Sequence, residues 1–120
     1  MPTPPELPGA PLTGANRFLL PDAQRQSQEA QALERRDAAL AFALYQHYQL
    51  GLNQSEEAAP WLRRAADWGH PVAGYNLGLE HLDRYEKLGT DADRQAALQL
   101  FRASAAAGHE RAAQRLRELD

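Results

Sequence analysis

The 120-residue chain has no cysteine, which excludes a disulfide framework, a thiolate metal site and a cysteine nucleophile, and leaves the redox compartment unread. β-Branched residues are nearly missing too, with one Val, no Ile and three Thr. Sheets draw on such residues, so their scarcity beside abundant Ala, Leu, Gln and Arg points to an all-α fold. No apolar run approaches the roughly 20 residues that span a bilayer. The segment from Met1 to Asn16 has no basic stretch leading into an apolar one. The expectation is a cytoplasmic chain without membrane insertion. A net charge of −3 and a pI near 5.8 supply no basic footprint for a phosphate backbone, so nucleic acid is not expected as a partner.

Proline is unevenly placed. Six of the eight prolines (Pro2, Pro4, Pro5, Pro8, Pro11 and Pro21) fall in residues 1–21, with Gly9 and Gly14 among them. Proline fixes φ and removes a backbone donor, so residues 1–21 read as a disordered or loosely docked tail and residues 22–120 as one helical domain. Within the tail, Phe18, Leu19 and Leu20 form a short apolar cluster that is expected to dock on the first helix rather than to recruit a partner.

Helical signals begin at Pro21-Asp22. Ala30, Leu33, Leu40, Leu44 and Tyr48 then recur at spacings that make an apolar stripe. Either one helix runs to about Leu50, or it breaks near Arg36-Asp37 with Asp37 capping a second; the repeat described next favours the break. Gly51 and Asn53-Gln54-Ser55 mark a loop. Pro60 is expected in the first turn of the following helix, since a deeper position costs about 3 kcal/mol, and that helix runs to Gly69.

The chain contains a repeat. Ala66-x-x-Gly69-His70-x-x-Ala73 returns as Ala105-x-x-Gly108-His109-x-x-Ala112, and the same offset of 39 pairs Ala58 with Ala97, Trp61 with Leu100, Leu62 with Phe101 and Leu77 with Leu116. The upstream helix matches at an offset of 33, pairing Leu40 with Ala73, Leu44 with Leu77 and Tyr48 with His81. Length variation is thereby confined to one loop, where it is tolerated because closure entropy grows slowly with length. Alanines allow close helix approach, and a glycine just past a helix end supplies the left-handed backbone of a sharp stop. The two Gly-His pairs therefore read as structural turns, and no partners stand at metal-ligand spacing around them. No metal or other cofactor is expected.

The string Leu77-Gly78, then Asp93-x-x-Ala96-Ala97, then Leu100-Phe101-x-x-Ser104-Ala105-x-x-Gly108-x-x-x-Ala112, resembles the Sel-one-like repeat, a relative of the tetratricopeptide repeat. An earlier copy supplies Leu44, Tyr48, Gly51, Ala58, Trp61, Leu62, Ala65, Ala66, Gly69 and Ala73. The copies depart from the pattern at Leu40, Tyr45 and Glu57, and at His81, Arg84 and Ala96. The resemblance covers residues 38 to 116. It implies a short right-handed α-solenoid of two helix-turn-helix repeats, with Asp22–Arg36 and Glu110–Leu119 as capping helices and about six helices in all. It also implies a protein-binding adaptor or scaffold whose concave face is lined by Phe42, Gln46 and Gln49 in the first copy and by Tyr75, Leu79, Leu82 and Asp83 in the second.

Phe42 and Tyr75 occupy equivalent positions, either as anchors for a peptide or helix or as packing against the neighbouring hairpin. Trp68 is a further candidate contact, because its equivalent is Ala107 and the repeat does not require a large ring there. His47 with Glu56 or Glu57, and His81 with Glu80 and Asp83, are the His/carboxylate groupings, and neither comes with a nucleophile or a phosphate cradle in recognisable spacing. No catalytic residue is therefore assigned and a small hydrolase is the least favoured class. A protein or peptide partner is expected for a monomer or weak homo-oligomer. A dedicated inhibitor or immunity-like protein that occludes one enzyme is the alternative to an adaptor.

Overall fold

The computed structural model describes residues 17–119, and among these it contains helices and turns but no strand. Residues 1–16 of the proline-rich segment lie outside the described residues. Six helices follow one another: α1 Asp22–Arg35, α2 Ala38–Gln46, α3 Ser55–Asp67, α4 Pro71–Leu88, α5 Asp91–Ala106 and α6 Glu110–Leu119, with a π-helical turn His47–Gly51 continuing α2. Extensive packing is between elements adjacent in sequence, above all α4 on α5 and α2 on α3.

The break between α1 and α2 falls at Arg36, which takes a left-handed conformation at φ 51°. The Asp37 N–H bonds back to the Ala32 carbonyl at 3.1 Å, and the Asp37 carboxylate accepts from the Leu40 N–H at 3.1 Å, stopping one helix and capping the next. The break also corrects the apolar stripe. Ala32 is the buried residue of α1, flanked by half-buried Arg25, Gln28 and Glu29, whereas Ala30 and Leu33 face outward, Leu33 being 51% exposed. A stripe carried through a helix break loses its register, because the two axes no longer coincide.

Two further expectations change. Pro60 is the sixth residue of α3 rather than part of its first turn. It deprives the Glu56 carbonyl of its helical donor, but both residues are exposed, so water can take the donor's place. Gly51 ends a π-turn in which the Leu52 N–H reaches the His47 carbonyl at 3.0 Å. The turn brings Gly51 under Leu19, so close that a Cβ on Gly51 would lie 2.8 Å from the leucine side chain.

Two apolar cores result. The first gathers Ala32, Ala41, Leu44, Trp61, Leu62, Ala65 and Ala73, with Leu20 and Trp68 packed against it. The second is built on Leu82, Ala97, Phe101 and Ala112. Leu44, Leu62 and Phe101 are fully buried, each worth about 1.5–3 kcal/mol in removal from water. Small residues set how closely helices meet: Gly78 of α4 lies against the Phe101 ring, and Gly74 against Ser104, whose hydroxyl donates to the Pro71 carbonyl at 2.9 Å.

Candidate functional site

The two Gly-His turns have nearly identical geometry. Gly69 and Gly108 take φ 98° and 97°. The His70 N–H reaches the Ala65 carbonyl at 2.9 Å, as the His109 N–H reaches that of Ser104 at 3.0 Å, which closes a Schellman motif in each. The imidazoles then start the next helices, His70 Nδ1 accepting from the Ala73 N–H and His109 Nδ1 from the Ala112 N–H, both at 3.2 Å. Arg36-Asp37 is a third copy of this turn, with an aspartate in place of the histidine.

Each capping imidazole carries an aromatic ring from a preceding helix. Phe42 of α2 stacks on His70 with centroids 4.2 Å apart, and Tyr75 of α4 stacks on His109 at 4.6 Å. Burial holds the His70 ring below its ordinary imidazole pKa. The repeated aromatic position thus ties one hairpin to the next. Phe42 also stacks on Tyr45 at 5.5 Å, and Tyr75 meets Phe101 at 5.9 Å, leaving both rings half-buried. Burial, then the charge of Glu80, raises the Tyr45 phenol above its ordinary value.

The other expected contact residues divide by helical register. Gln46 and Gln49 are half-buried along α2 and its π-turn, and Leu79 is half-buried against the second core. Leu82 is a correction: only 5% exposed, it belongs to that core, because α4 turns its 75–78–82–85 edge toward α5 and α6. Asp83 is on the surface and pairs with Lys87 at 3.0 Å. Trp68 is half-buried on the first core, while Arg64 stacks over the neighbouring Trp61 ring at 4.5 Å.

Of these residues, Tyr75 lines an open depression of about 330 Å³, whose other walls come from α6: Arg111, Gln114, Arg115 and Glu118. Arg115 pairs with Glu118 at 3.4 Å, and Arg111 has no ion pair among the described residues. The sequence reading missed this wall. The signal for it was the offset of 39, which carries Tyr75 onto Gln114 and Leu79 onto Glu118 had the register been continued into α6.

The histidines outside the turns find other partners than those expected. His47, 4% exposed, faces neither Glu56 nor Glu57; its Nδ1 accepts the Leu20 N–H at 3.0 Å, and burial, then the nearby Arg25 charge, lowers its pKa. His81 turns away from Glu80 and Asp83 toward Asp93 of α5, with Nδ1 2.9 Å from the carboxylate oxygen to which Arg84 Nε donates at 3.2 Å. The His81 hydrogen bond, then that of Arg84, hold the Asp93 carboxyl below its ordinary value. At the equivalent position in the first copy, Tyr48 donates to Glu29, which Arg25 pairs at 3.2 Å. Burial, then that hydrogen bond, raises the Tyr48 phenol. His81 and Asp93 are half-buried with Arg84 exposed beside them, and among the described residues no hydroxyl or other nucleophile takes part in their hydrogen bonds.

Among the described residues no group of three or more His, Asp or Glu side chains is disposed to hold a metal ion. None of the described helices is long and apolar enough to cross a membrane. No family model, no characterised protein and no solved structure matches this chain.

Proposed function

We propose that this chain is a protein-interaction module of the helical-repeat type, an adaptor that binds a partner along the face formed by α2, α4 and α6. The observation that carries the reading is the depression beside Tyr75, where a half-buried phenol ring, an arginine with no ion pair among the described residues and a glutamine side chain are offered together on α4 and α6. A ring with one face packed and one edge wet, beside a guanidinium, is the kind of anchor that dominates binding energy at protein interfaces. Two further features support a short right-handed solenoid of Sel-one-like character: three turns in which the N–H of Asp37, His70 or His109 bonds the carbonyl five residues back, and packing that runs mainly between sequence neighbours.

An open depression lined by long polar side chains suits a protein or peptide ligand better than a small substrate, which is ordinarily enclosed on most of its surface. The test is affinity capture with three chains: the wild type, a groove variant carrying Tyr75→Ala and Arg111→Glu, and a variant of the opposite face carrying Arg63→Glu and Arg102→Glu. Arg63 and Arg102 are exposed repeat equivalents on α3 and α5. The expected result is one partner retained by the wild type and the opposite-face variant and lost by the groove variant. Loss of that partner only from the opposite-face variant overturns the reading. If the captured partner is an enzyme that the stoichiometric complex silences, the adaptor role gives way to that of an inhibitor.

A further inference from the structure

Three of the four histidines put the same atom to the same use. Nδ1 accepts a backbone N–H from Leu20 at His47, from Ala73 at His70 and from Ala112 at His109. A ring nitrogen that accepts carries no proton, so each imidazole is neutral with its hydrogen on Nε2. The three bonds hold different parts of the molecule: the extended segment ahead of α1, the start of α4 and the start of α6.

We propose that mild acid loosens this domain at two of these points together, the segment ahead of α1 and the start of α4, because a proton added at Nδ1 of His47 or His70 turns the acceptor into a donor that faces an N–H. At His70 the added charge also falls at a helix N-terminus, where the aligned peptide dipoles disfavour a cation. Stacking on Phe42 favours a cation and works the other way, but it restores neither the cap nor the helix-end electrostatics.

The surroundings offer little compensating charge. His70 is covered by Phe42, with Tyr45 beyond it, and the recess beside it is walled by Ala66, Gly69, Pro71, Gly74, Leu100, Ala103 and Ser104, none of which is ionisable. His47 feels Arg25, Glu29 and Asp22 from α1, with burial and the arginine opposing the proton and the two carboxylates favouring it.

The direction of the pH effect follows from which state holds more protons. Folded His47 and His70 take up their protons at lower pH than the unfolded rings, whose ordinary value is 6.5. Their contribution to stability is therefore complete above about pH 6.5 and is lost as pH falls through the lower folded values. Release of Leu20 would free the Leu19–Leu20 segment from Gly51, and release of the His70 cap would loosen the Phe42–His70 stack that joins α2 to α4. The device does not depend on what the groove binds.

The test uses the full chain. Imidazole ¹⁵N spectra at pH 7.5 report which ring nitrogen is bare, and urea unfolding at pH 7.5 and 5.5 reports the linkage. Nδ1 is expected to be the bare nitrogen of His47, His70 and His109, and the unfolding equilibrium constant is expected to be higher at pH 5.5 than at pH 7.5. Asp37 shows that a carbonyl-type oxygen serves at the same turn position, so a His70→Asn chain should keep its cap and show a smaller rise, with His47 carrying the remainder. A proton on Nδ1 of His70 at pH 7.5, or an undiminished rise in the His70→Asn chain, overturns the proposal. The spectra of the wild type decide the matter if the variant fails to fold.

Discussion

Gly78→Ala places a methyl group where α4 and α5 meet most closely, and its cost can be worked from the structure. The added Cβ would lie 2.7, 3.0 and 3.2 Å from three atoms of the Phe101 ring, against the 3.4–4 Å of ordinary contact. That ring is fully buried, in the core of Leu82, Ala97 and Ala112 with Tyr75 packed beside it, so it has little room to retreat. Overpacking of this kind costs about 1–3 kcal/mol, while replacing glycine by alanine inside a helix returns about 1 kcal/mol. The net is a loss of about 1 kcal/mol, or a fall in Tm of about 4–8 °C for a domain of this size. In a Phe101→Leu background the methyl group has space, and the same substitution should stabilise by up to about 1 kcal/mol, giving a coupling of about 2 kcal/mol. Urea denaturation of the four chains of this cycle measures it. If Gly78→Ala stabilises the wild type as much as it does the Phe101→Leu chain, the claim that glycine sets the α4–α5 spacing is wrong.

Arg36→Gly relieves a side chain held at positive φ and should raise stability by about 1 kcal/mol in urea denaturation; an unchanged midpoint would show that the turn carries no such strain. Asp37→Ala removes the cap of α2 and should cost about 1 kcal/mol by the same assay, whereas Asp37→Asn should stay within a few tenths. Asp93, held below its ordinary value of 3.8 by His81 and Arg84, stabilises the fold above that pH and loses its contribution as pH falls through the folded value. An Asp93→Asn chain should therefore be somewhat less stable at pH 6 and lose less stability between pH 4 and 2, and an unaltered acid slope would rule out the cluster's part in acid unfolding.

The turns were the most legible part of the chain, because glycine at positive φ is dictated locally and the Gly-His pairs recur at a fixed offset. The break at Asp37 was legible as an alternative for the same reason, a capping side chain ahead of an apolar run. Leu33 and Leu82 were misread by opposite errors of register: one stripe was carried through a helix break, and one groove position was transferred without allowance for the rotation of α4 against α5 and α6. Pro60 was misplaced because its penalty was weighed without knowing that the outer face of α3 is open to water. His70 and His109 were read as turn residues and no more; that their rings cap helices and carry Phe42 and Tyr75 depends on side-chain directions that spacing does not encode. The α6 wall of the depression was within reach, since the offset of 39 led to Gln114 and Glu118.

The face that binds is the central claim, and titration of the ¹⁵N-labelled chain with its captured partner tests it most directly. The account predicts large shifts for the Gln46 and Gln114 side-chain amides and the Arg111 and Arg115 Nε–H signals, with Arg63 and Arg102 unmoved. Shifts confined to Arg63, Arg102 and their neighbours on α3 and α5, with Gln114 and Arg111 still, would contradict it.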